Sequence, residues 1–202
     1  MDTRHRNILL EHIPGNSLET VTGWLDQYPV ALTVSRKRNS KMGDYRPPAK
    51  NARHRISVNG DLHPYAFLVT LVHELAHLVI WEKYKRRARP HGEQWKAQFR
   101  VMLQRLWEEE IFEDGVSDIV NDFSSGKISY RMFNLRFEKL VHQMSPDEEE
   151  SLLGDLPQDA VFSIHNGRRF IKQEKVRTRF RCKDLKNGRI YLISPLAKVH
   201  PE

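Results

Sequence analysis

The sequence predicts an α+β fold, with a small sheet before a long buried helix, more helices after it, and a β-hairpin near the C-terminus. Three observations predict this order. Residues 64–84 are apolar nearly all round a helix, and short β-branched runs bounded by turn residues precede them. Strict alternation of side chains begins only after Pro157. With 202 residues, of which 39% are hydrophobic and 29% charged, the chain is long enough to bury a sizeable core.

The elements before the long helix are short. Residues 17–27 place apolar side chains on one helical face and predict an amphipathic helix. Residues 30–35 and 55–58 are β-branched runs and predict strands. The stretch between these two runs contains one glycine and two prolines, which predicts a loop around a further edge strand.

The long helix begins at Pro64, a residue suited to a first helical turn, with Asp61 ahead of it as a possible cap. It is expected to extend to about Tyr84 and to lie in the core instead of on the surface. Its large apolar residues are Phe67, Leu68, Leu71, Val72, Leu75, Leu78, Val79 and Trp81.

Helical spacing of apolar residues continues downstream, over residues 91–111 and 129–144. Residues 145–148, Ser-Pro-Asp-Glu, are typical of the start of one more short helix. After these helices, two alternating runs flank Asn187-Gly188, which predicts a β-hairpin.

Charge is distributed in blocks. The chain has 33 Lys and Arg against 26 Asp and Glu, a net charge of +7. Residues 36–55 and 161–202 are basic, whereas residues 108–122 contain seven acidic and no basic side chains. This net positive charge favours a polyanionic partner, although most runs of charged residues are simply solvent-exposed surfaces of the protein.

Cysteine content and apolar runs bear on the compartment. One cysteine, Cys182, excludes an intramolecular disulfide framework and a zinc knuckle built from several cysteines, which favours a reducing compartment. The N-terminal residues lack the apolar core of a secretory signal. No apolar stretch is expected to approach the roughly 18 residues needed to span a bilayer. The sequence therefore predicts a cytoplasmic protein without a membrane partner.

The buried helix carries a chemical motif, H-E-x-x-H, in residues 73–77. His73 and His77 are four residues apart, about 6 Å along the axis on one helical face, so both imidazoles can converge on a metal ion. Glu74 lies about 100° round the helix, where a carboxylate could deprotonate a metal-bound water without ligating the ion. The alternative is a pair of core histidines with backbone or carboxylate partners, but three ionisable groups among Leu, Val and Phe favour a compensating metal.

A catalytic zinc site has three protein ligands, so a third ligand is expected downstream. His91 is the leading candidate because it opens the next helix, between Pro90 and Gly92. Glu93 is the rival ligand, or it merely complements the helix N-terminus. Three other histidines are interpreted as ordinary polar residues: His54, His63 and His142.

These motifs together resemble a known family. Residues 18–107 are similar to the catalytic domain of the SprT-like zinc metalloproteases, which include the Spartan proteases that remove protein adducts from DNA. The shared features are HELAH at 73–77, PHGEQW at 90–95, SRKRNSKMGDYR at 35–46 and RISVNGDL at 55–62. The resemblance implies a zincin-like metalloprotease domain, with His73, His77 and His91 as the ligands of one Zn²⁺ per chain and Glu74 as the catalytic base.

The chain departs from the family near its C-terminus. SprT-like proteins often continue into a zinc ribbon with four cysteines, whereas residues 161–195 keep a ribbon-like hairpin pattern with Cys182 alone. The predicted organisation is a catalytic domain over 1–112, a helical segment of unknown role over 113–157, and a basic, β-rich, ribbon-like region without zinc ligands over 158–202.

The predicted function is zinc-dependent hydrolysis of peptide bonds by a Glu-activated, zinc-bound water, in a protein or peptide substrate and in association with DNA. An extended substrate could pair with residues 35–46 or with the strand at 55–58. The competing hypothesis is a non-enzymatic nucleic-acid-binding factor with a structural zinc. Candidate nucleic-acid contacts are Arg36, Lys37, Arg38, Arg168, Arg169, Arg177, Arg179 and Arg181.

Overall fold

The computed structural model describes residues 3–38, 41–49, 52–144 and 150–202. The helices in these ranges are α1 (Thr3–Leu10), α2 (Leu18–Asp26), α3 (Pro64–Tyr84), α4 (Glu93–Glu108), α5 (Asp114–Ser124) and α6 (Tyr130–Met144). The strands are β1 (Val30–Ser35), β2 (Gly43–Arg46), β3 (His54–Asn59), β4 (Ser151–Leu152), β5 (Val161–Ser163), β6 (Arg169–Val176), β7 (Arg179–Asp184), β8 (Ile190–Ile193) and β9 (Lys198–Pro201).

The fold is mixed α and β, consistent with the predicted α+β class. The chain forms two compact units, Met1–Phe137 and Glu138–Glu202. Helices dominate the first unit and strands dominate the second. The division of the chain at residues 112 and 157, expected from the sequence, stays a prediction.

The sheet of the first unit has three strands in the order β1-β3-β2. β1 runs parallel to β3, with Val30 opposite His54, and β2 runs antiparallel to β3, with Gly43 opposite Val58. β2 is therefore the edge strand that the sequence predicts between the two β-branched runs. Because β3 is the central strand and both its neighbours pair with it, the expectation that residues 55–58 could pair with a substrate is wrong.

Helix α3 is the centre of the first unit and contacts β2, β3 and α4. Most of its large apolar side chains are fully buried, as predicted, although Val79 and Trp81 are only half-buried. The predicted cap is wrong: His63, and not Asp61, caps the helix, because its Nδ1 accepts the backbone N–H of Tyr65 at 3.2 Å. This helix carries the H-E-x-x-H motif across its third and fourth turns.

The apolar character of α3 corrects one expectation. Residues 64–87 are long and apolar enough to cross a membrane by length and composition, so a stretch of spanning length does exist among the described residues. However, 72% of the 18-residue apolar window in this helix is buried inside the protein. Burial of this extent is typical of the core helix of a soluble protein, because a membrane helix would present its apolar surface to lipid.

The second unit is built on a six-stranded sheet in the order β4-β9-β5-β6-β7-β8. The predicted hairpin around Asn187-Gly188 is confirmed, since β7 and β8 pair antiparallel with Cys182 opposite Tyr191. The hairpin belongs to a larger sheet than the sequence suggested, because β4, β5 and β9 extend it on the far side of β6. The short helix expected at 145–148 lies outside the described residues.

Candidate metal centre

Three imidazoles converge at the end of a cleft in the first unit. The Nε2 atom of His73 lies 3.2 Å from that of His77 and 3.0 Å from that of His91, and the third side of the triangle measures 3.1 Å. A tetrahedral zinc with bonds of 2.0–2.1 Å to nitrogen separates its ligand atoms by about 3.3 Å. The three histidines therefore match one face of such a tetrahedron and could hold a metal ion.

Local structure explains how each histidine reaches the triangle. His73 and His77 lie one turn apart on α3, so their rings project from the same face of the helix. His91 comes from the connection between α3 and α4 and adopts a left-handed backbone conformation, with φ of 57°. Such a conformation is costly for a residue other than glycine and is concentrated at functional sites. It also explains why α4 begins at Glu93, two residues later than the sequence predicts.

The rival ligand, Glu93, does not join the three histidines. Its side chain is exposed and pairs with Lys96, the two charged atoms lying 2.8 Å apart. The group that could hold a metal consists of His73, His77 and His91. This arrangement favours His91 over Glu93 as the third ligand.

The histidines are held in the neutral form that binds metals. Burial, followed by the neighbouring His77 and His91, lowers the pKa of His73 to about 3. Burial, followed by His91, lowers the pKa of His77 to about 4, and burial also lowers the pKa of His91. Neutral imidazoles keep a lone pair available for an ion, so the three rings need not lose a proton before they bind a metal near neutral pH.

Glu74 lies beneath the edge strand. Its side chain is 6% exposed. Burial, followed by the charge of Asp44, raises the pKa of Glu74 to about 7, and a hydrogen bond from the backbone of Tyr45 acts in the opposite direction. A carboxyl group with a pKa near neutrality can both accept and return a proton, as general acid–base catalysis requires.

Gly43 makes this close approach of β2 to Glu74 possible. A Cβ atom at position 43 would lie 2.6 Å from Oε1 of Glu74 and 2.7 Å from Cγ2 of Thr70. Both distances are shorter than non-bonded atoms tolerate, so any larger residue would displace the strand or the carboxylate. The edge strand and the motif helix therefore depend on a glycine at this position.

A hydrogen-bonded network around the buried His54 holds β2 and β3 against α3. The hydroxyl of Tyr45 lies 3.0 Å from Nδ1 of His54, and Nε2 of His54 lies 3.1 Å from a carboxylate oxygen of Glu82. Because the carboxylate only accepts, the proton of the neutral ring is on Nε2, and the Tyr45 hydroxyl donates to Nδ1. The Tyr45 ring also stacks parallel to that of His77, with 6.3 Å between centroids. Tyr45 is thus part of the site. The spacing of the metal ligands in the sequence gives no indication of this role.

A second tyrosine reaches the histidines from α6. The hydroxyl of Tyr130 lies 3.2 Å from Nδ1 of His73, and its ring is parallel to that of His91 to within 15°. Tyr130 lies in the segment to which the sequence assigns no role. A tyrosine at the start of a helix carries no spacing signal that could have identified it.

These groups line one cleft of the first unit. Its walls include the edge strand, the motif helix and the connection to α4. Representative lining residues are Tyr45, Glu74, His77, Trp81, Arg89 and Trp95. The cleft leaves the histidine cluster accessible from outside, so a substrate could approach it.

The candidate nucleic-acid contacts before β2 differ in what they touch. Arg36 and Lys37 are exposed. Arg38 instead braces the loop against β3, because Nε donates to Oδ1 of Asn59 at 2.7 Å and a terminal nitrogen donates to Oγ of Ser57 at 3.0 Å. Nucleic-acid contact by these three residues stays a prediction.

The candidates in the second unit differ in their partners and in their exposure. Arg168 forms an ion pair with Asp184 and lies over the Tyr191 ring, 4.7 Å from its centroid, while Arg169 pairs with Glu202. Arg181 also has an acidic neighbour, since one of its terminal nitrogens lies 3.4 Å from a carboxylate oxygen of Glu174. Arg177, Arg179 and Arg181 are exposed, as Arg169 is. Nucleic-acid contact by any of these arginines stays a prediction.

Comparison with known protein families matches part of the first unit. Residues 19–110 match the family described as the SprT-like family. The match contains the three clustered histidines and Glu74, and it ends before Tyr130. No curated protein and no solved structure matches the chain.

Proposed function

Because residues 19–110 belong to the SprT-like family, which suggests a metalloprotease-like function, we propose that this chain is a zinc-dependent metallopeptidase. Its first unit would then be a zincin-like catalytic domain. The observation that carries the proposal is the triangle of Nε2 atoms at 3.0–3.2 Å, with a buried carboxylate from the same helix beside it. One zinc per chain is the expected content.

In the proposed mechanism, a metal ion and a protein carboxylate have separate roles. A zinc ion held by His73, His77 and His91 would act as a Lewis acid that activates water and polarises the scissile carbonyl. Glu74 accepts the proton from the attacking water and returns it to the leaving amine. Burial between α3 and β2 keeps this carboxylate in one position while it does so.

The edge strand offers a surface for the substrate. β2 occupies one end of the three-stranded sheet, and its residues Gly43, Asp44 and Tyr45 line the cleft. An extended peptide could add to this edge through main-chain hydrogen bonds, which would place its backbone beside the histidines. We therefore propose that β2 is the substrate-pairing strand and that the substrate is bound in an extended conformation.

We further propose that the substrates are DNA-associated proteins. The support is chemical: Arg36 and Lys37 are exposed in the first unit, and Arg177 and Arg179 in the second. Clustered, exposed cations attract nucleic-acid phosphates. The competing function, a nucleic-acid-binding factor with a structural zinc, requires no carboxylate beside the metal, and Glu74 therefore favours the enzyme.

A proteolysis assay tests the peptidase proposal. Wild type and Glu74→Gln are incubated with a DNA-bound protein and with the same protein free, and the zinc content of each variant is measured. We expect one zinc in both variants and a loss of about 10²–10⁴-fold in rate for Glu74→Gln, the usual contribution of a general base. Glu93→Gln is the matched control, since Glu93 is exposed and outside the cluster. Equal rates for wild type and Glu74→Gln would refute the mechanism, and zinc loading without proteolysis would favour the binding factor.

A fluorescence-anisotropy titration tests the DNA proposal separately. Single-stranded and duplex oligonucleotides are titrated at two salt concentrations, with wild type and with Arg177→Ala/Arg179→Ala. We expect affinity to fall steeply with salt and to be weaker in the double variant, because phosphate contacts release counterions. Failure of wild type to bind either oligonucleotide at low salt would remove DNA as a partner.

A further inference from the structure

The two ring nitrogens of His73 face different partners. Its Nε2 lies in the histidine triangle, 3.0 Å from that of His91 and 3.2 Å from that of His77. Its Nδ1 lies 3.2 Å from the hydroxyl oxygen of Tyr130. A neutral imidazole carries one proton, and a nitrogen that ligates an ion must offer its lone pair. With Nε2 as ligand, the proton is on Nδ1, and the Tyr130 oxygen accepts it.

The Tyr130 hydroxyl is held in place by packing. Its ring lies in an aromatic cluster, with centroid distances of 5.1 Å to Trp95, 6.0 Å to Phe99 and 6.1 Å to Phe123. Phe123 belongs to α5 and is fully buried. The turn between α5 and α6 is closed by a hydrogen bond from the backbone of Ile128 to that of Asp122, at 3.1 Å. The position of the hydroxyl is therefore set by both helices.

We propose that Tyr130 is a positioning residue of the metal centre, whose hydroxyl fixes His73 in the tautomer and ring orientation that present Nε2 to the ion. This inference rests on the proposed metal binding and extends it beyond residues 19–110. Helix α5 and the first turns of α6 then belong to the catalytic unit, because they supply and hold a side chain that positions the metal-binding His73. A hydrogen-bond partner on the histidine nitrogen that does not bind the metal commonly raises metal affinity by about 10–100-fold.

The test compares zinc affinities of Tyr130→Phe and wild type, by competition with a chromophoric chelator. The variant keeps the aromatic ring and removes only the hydroxyl, so we expect its zinc dissociation constant to rise about 10–100-fold. Tyr65→Phe is the matched control: Tyr65 is buried on the same helix as His73, and its hydroxyl accepts the backbone N–H of Glu113 at 3.3 Å, away from the histidines. Its affinity should equal that of wild type.

A second measurement uses wild type alone, so it does not depend on the folding of a variant. Long-range ¹H–¹⁵N spectra of the zinc-loaded protein report which nitrogen of His73 carries the proton. We expect a protonated Nδ1 whose proton exchanges slowly with water. Ligation of zinc through Nδ1 would overturn the inference.

The outcomes separate this inference from the proposed function. Failure of wild type to bind zinc would overturn both. Zinc binding with the same affinity in Tyr130→Phe and wild type would overturn the role of Tyr130 and leave the peptidase proposal standing.

Discussion

The position of the Glu74 carboxylate depends on a glycine in the neighbouring edge strand. Gly43 lies on the edge strand directly over the carboxylate, and a Cβ there would come within 2.6 Å of Oε1. The same strand supplies a backbone hydrogen bond from Tyr45 to Glu74. The position of the proposed base is therefore set by a strand about 30 residues earlier in the chain as well as by its own helix.

Gly43→Ala should separate catalysis from metal binding. The added methyl group must push β2 away from α3 or displace Glu74, so we expect the peptidase rate constant to fall at least about tenfold while zinc content stays unchanged. Overpacking of this kind also destabilises a fold by about 1–3 kcal/mol. Rates on a peptide substrate and urea unfolding curves measure the two effects.

The control for this variant is Gly15→Ala, because a Cβ at position 15 has nothing within 4 Å. It should leave the rate unchanged. A Gly43→Ala protein with the wild-type rate constant would show that the edge strand does not confine Glu74.

At the same scale, sequence reasoning identified some site residues and missed others. His73, Glu74 and His77 follow from a five-residue motif whose geometry is set by one helix. Tyr45 and Tyr130 do not, because a tyrosine is an ordinary core aromatic unless its hydroxyl has a specific partner. That partner is visible only once the chain has folded.

At the scale of elements, the first unit is braced where β2, β3 and α3 meet. His54 of β3 is 2% exposed and joins the Tyr45 hydroxyl to the Glu82 carboxylate. Burial lowers the pKa of His54, although Glu82 opposes this shift. The neutral ring therefore accepts a hydrogen bond from Tyr45 through Nδ1 and donates one to Glu82 through Nε2.

His54→Leu should destabilise this junction. The substitution keeps a side chain of similar size but removes both ring nitrogens. The Tyr45 hydroxyl loses its hydrogen-bond partner, while the half-buried Glu82 carboxylate keeps its contact with Lys85. We expect a loss of about 1–3 kcal/mol in unfolding free energy. Urea unfolding measures it. Arg55→Ala, at the exposed neighbouring position, should change stability by no more than about 0.5 kcal/mol. Equal stability of His54→Leu and wild type would contradict the bridging role.

Element bounds were predictable where local pattern decides them. The strand at 30–35 and the helix from Pro64 to Tyr84 lie where the sequence predicts them. Helix α1 was not foreseen, since its short apolar run lacks clear periodicity. The segment expected to be helical up to 157 contains β4, because two residues there pair with β9, almost 50 positions later.

At the scale of the whole molecule, the second unit has its own core, and the described part of this unit contains no group of side chains that could hold a metal ion. Cys182 is fully buried in it, beside Leu153, Phe162, Phe170 and Val199. Burial raises the pKa of this thiol to about 11. The residue that suggested a departure from cysteine-rich relatives is thus an apolar core side chain of the sheet.

The native protein should therefore resist thiol reagents. A thiol pKa near 11, compared with an ordinary value of 9.0, lowers the reactive thiolate fraction at pH 8 about 100-fold, and burial excludes the reagent as well. We expect Cys182 to react with an aromatic disulfide reagent in concentrated guanidinium chloride and not in buffer. In Lys183→Cys, the exposed new thiol should react at once and Cys182 should stay protected. Rapid labelling of native wild type would contradict the buried position.

The sequence by itself determined the α+β class, the main helices and strands of the first unit, and the pairing of two histidines with a carboxylate on one helix. These features depend on interactions between residues a few positions apart, and such interactions are visible as patterns in the sequence. Only the tertiary structure decided that His91 and not Glu93 joins the pair, that β2 is the edge strand over Glu74, and that Tyr130 meets His73. Those contacts join residues 14 to 57 positions apart, so they depend on how the elements pack.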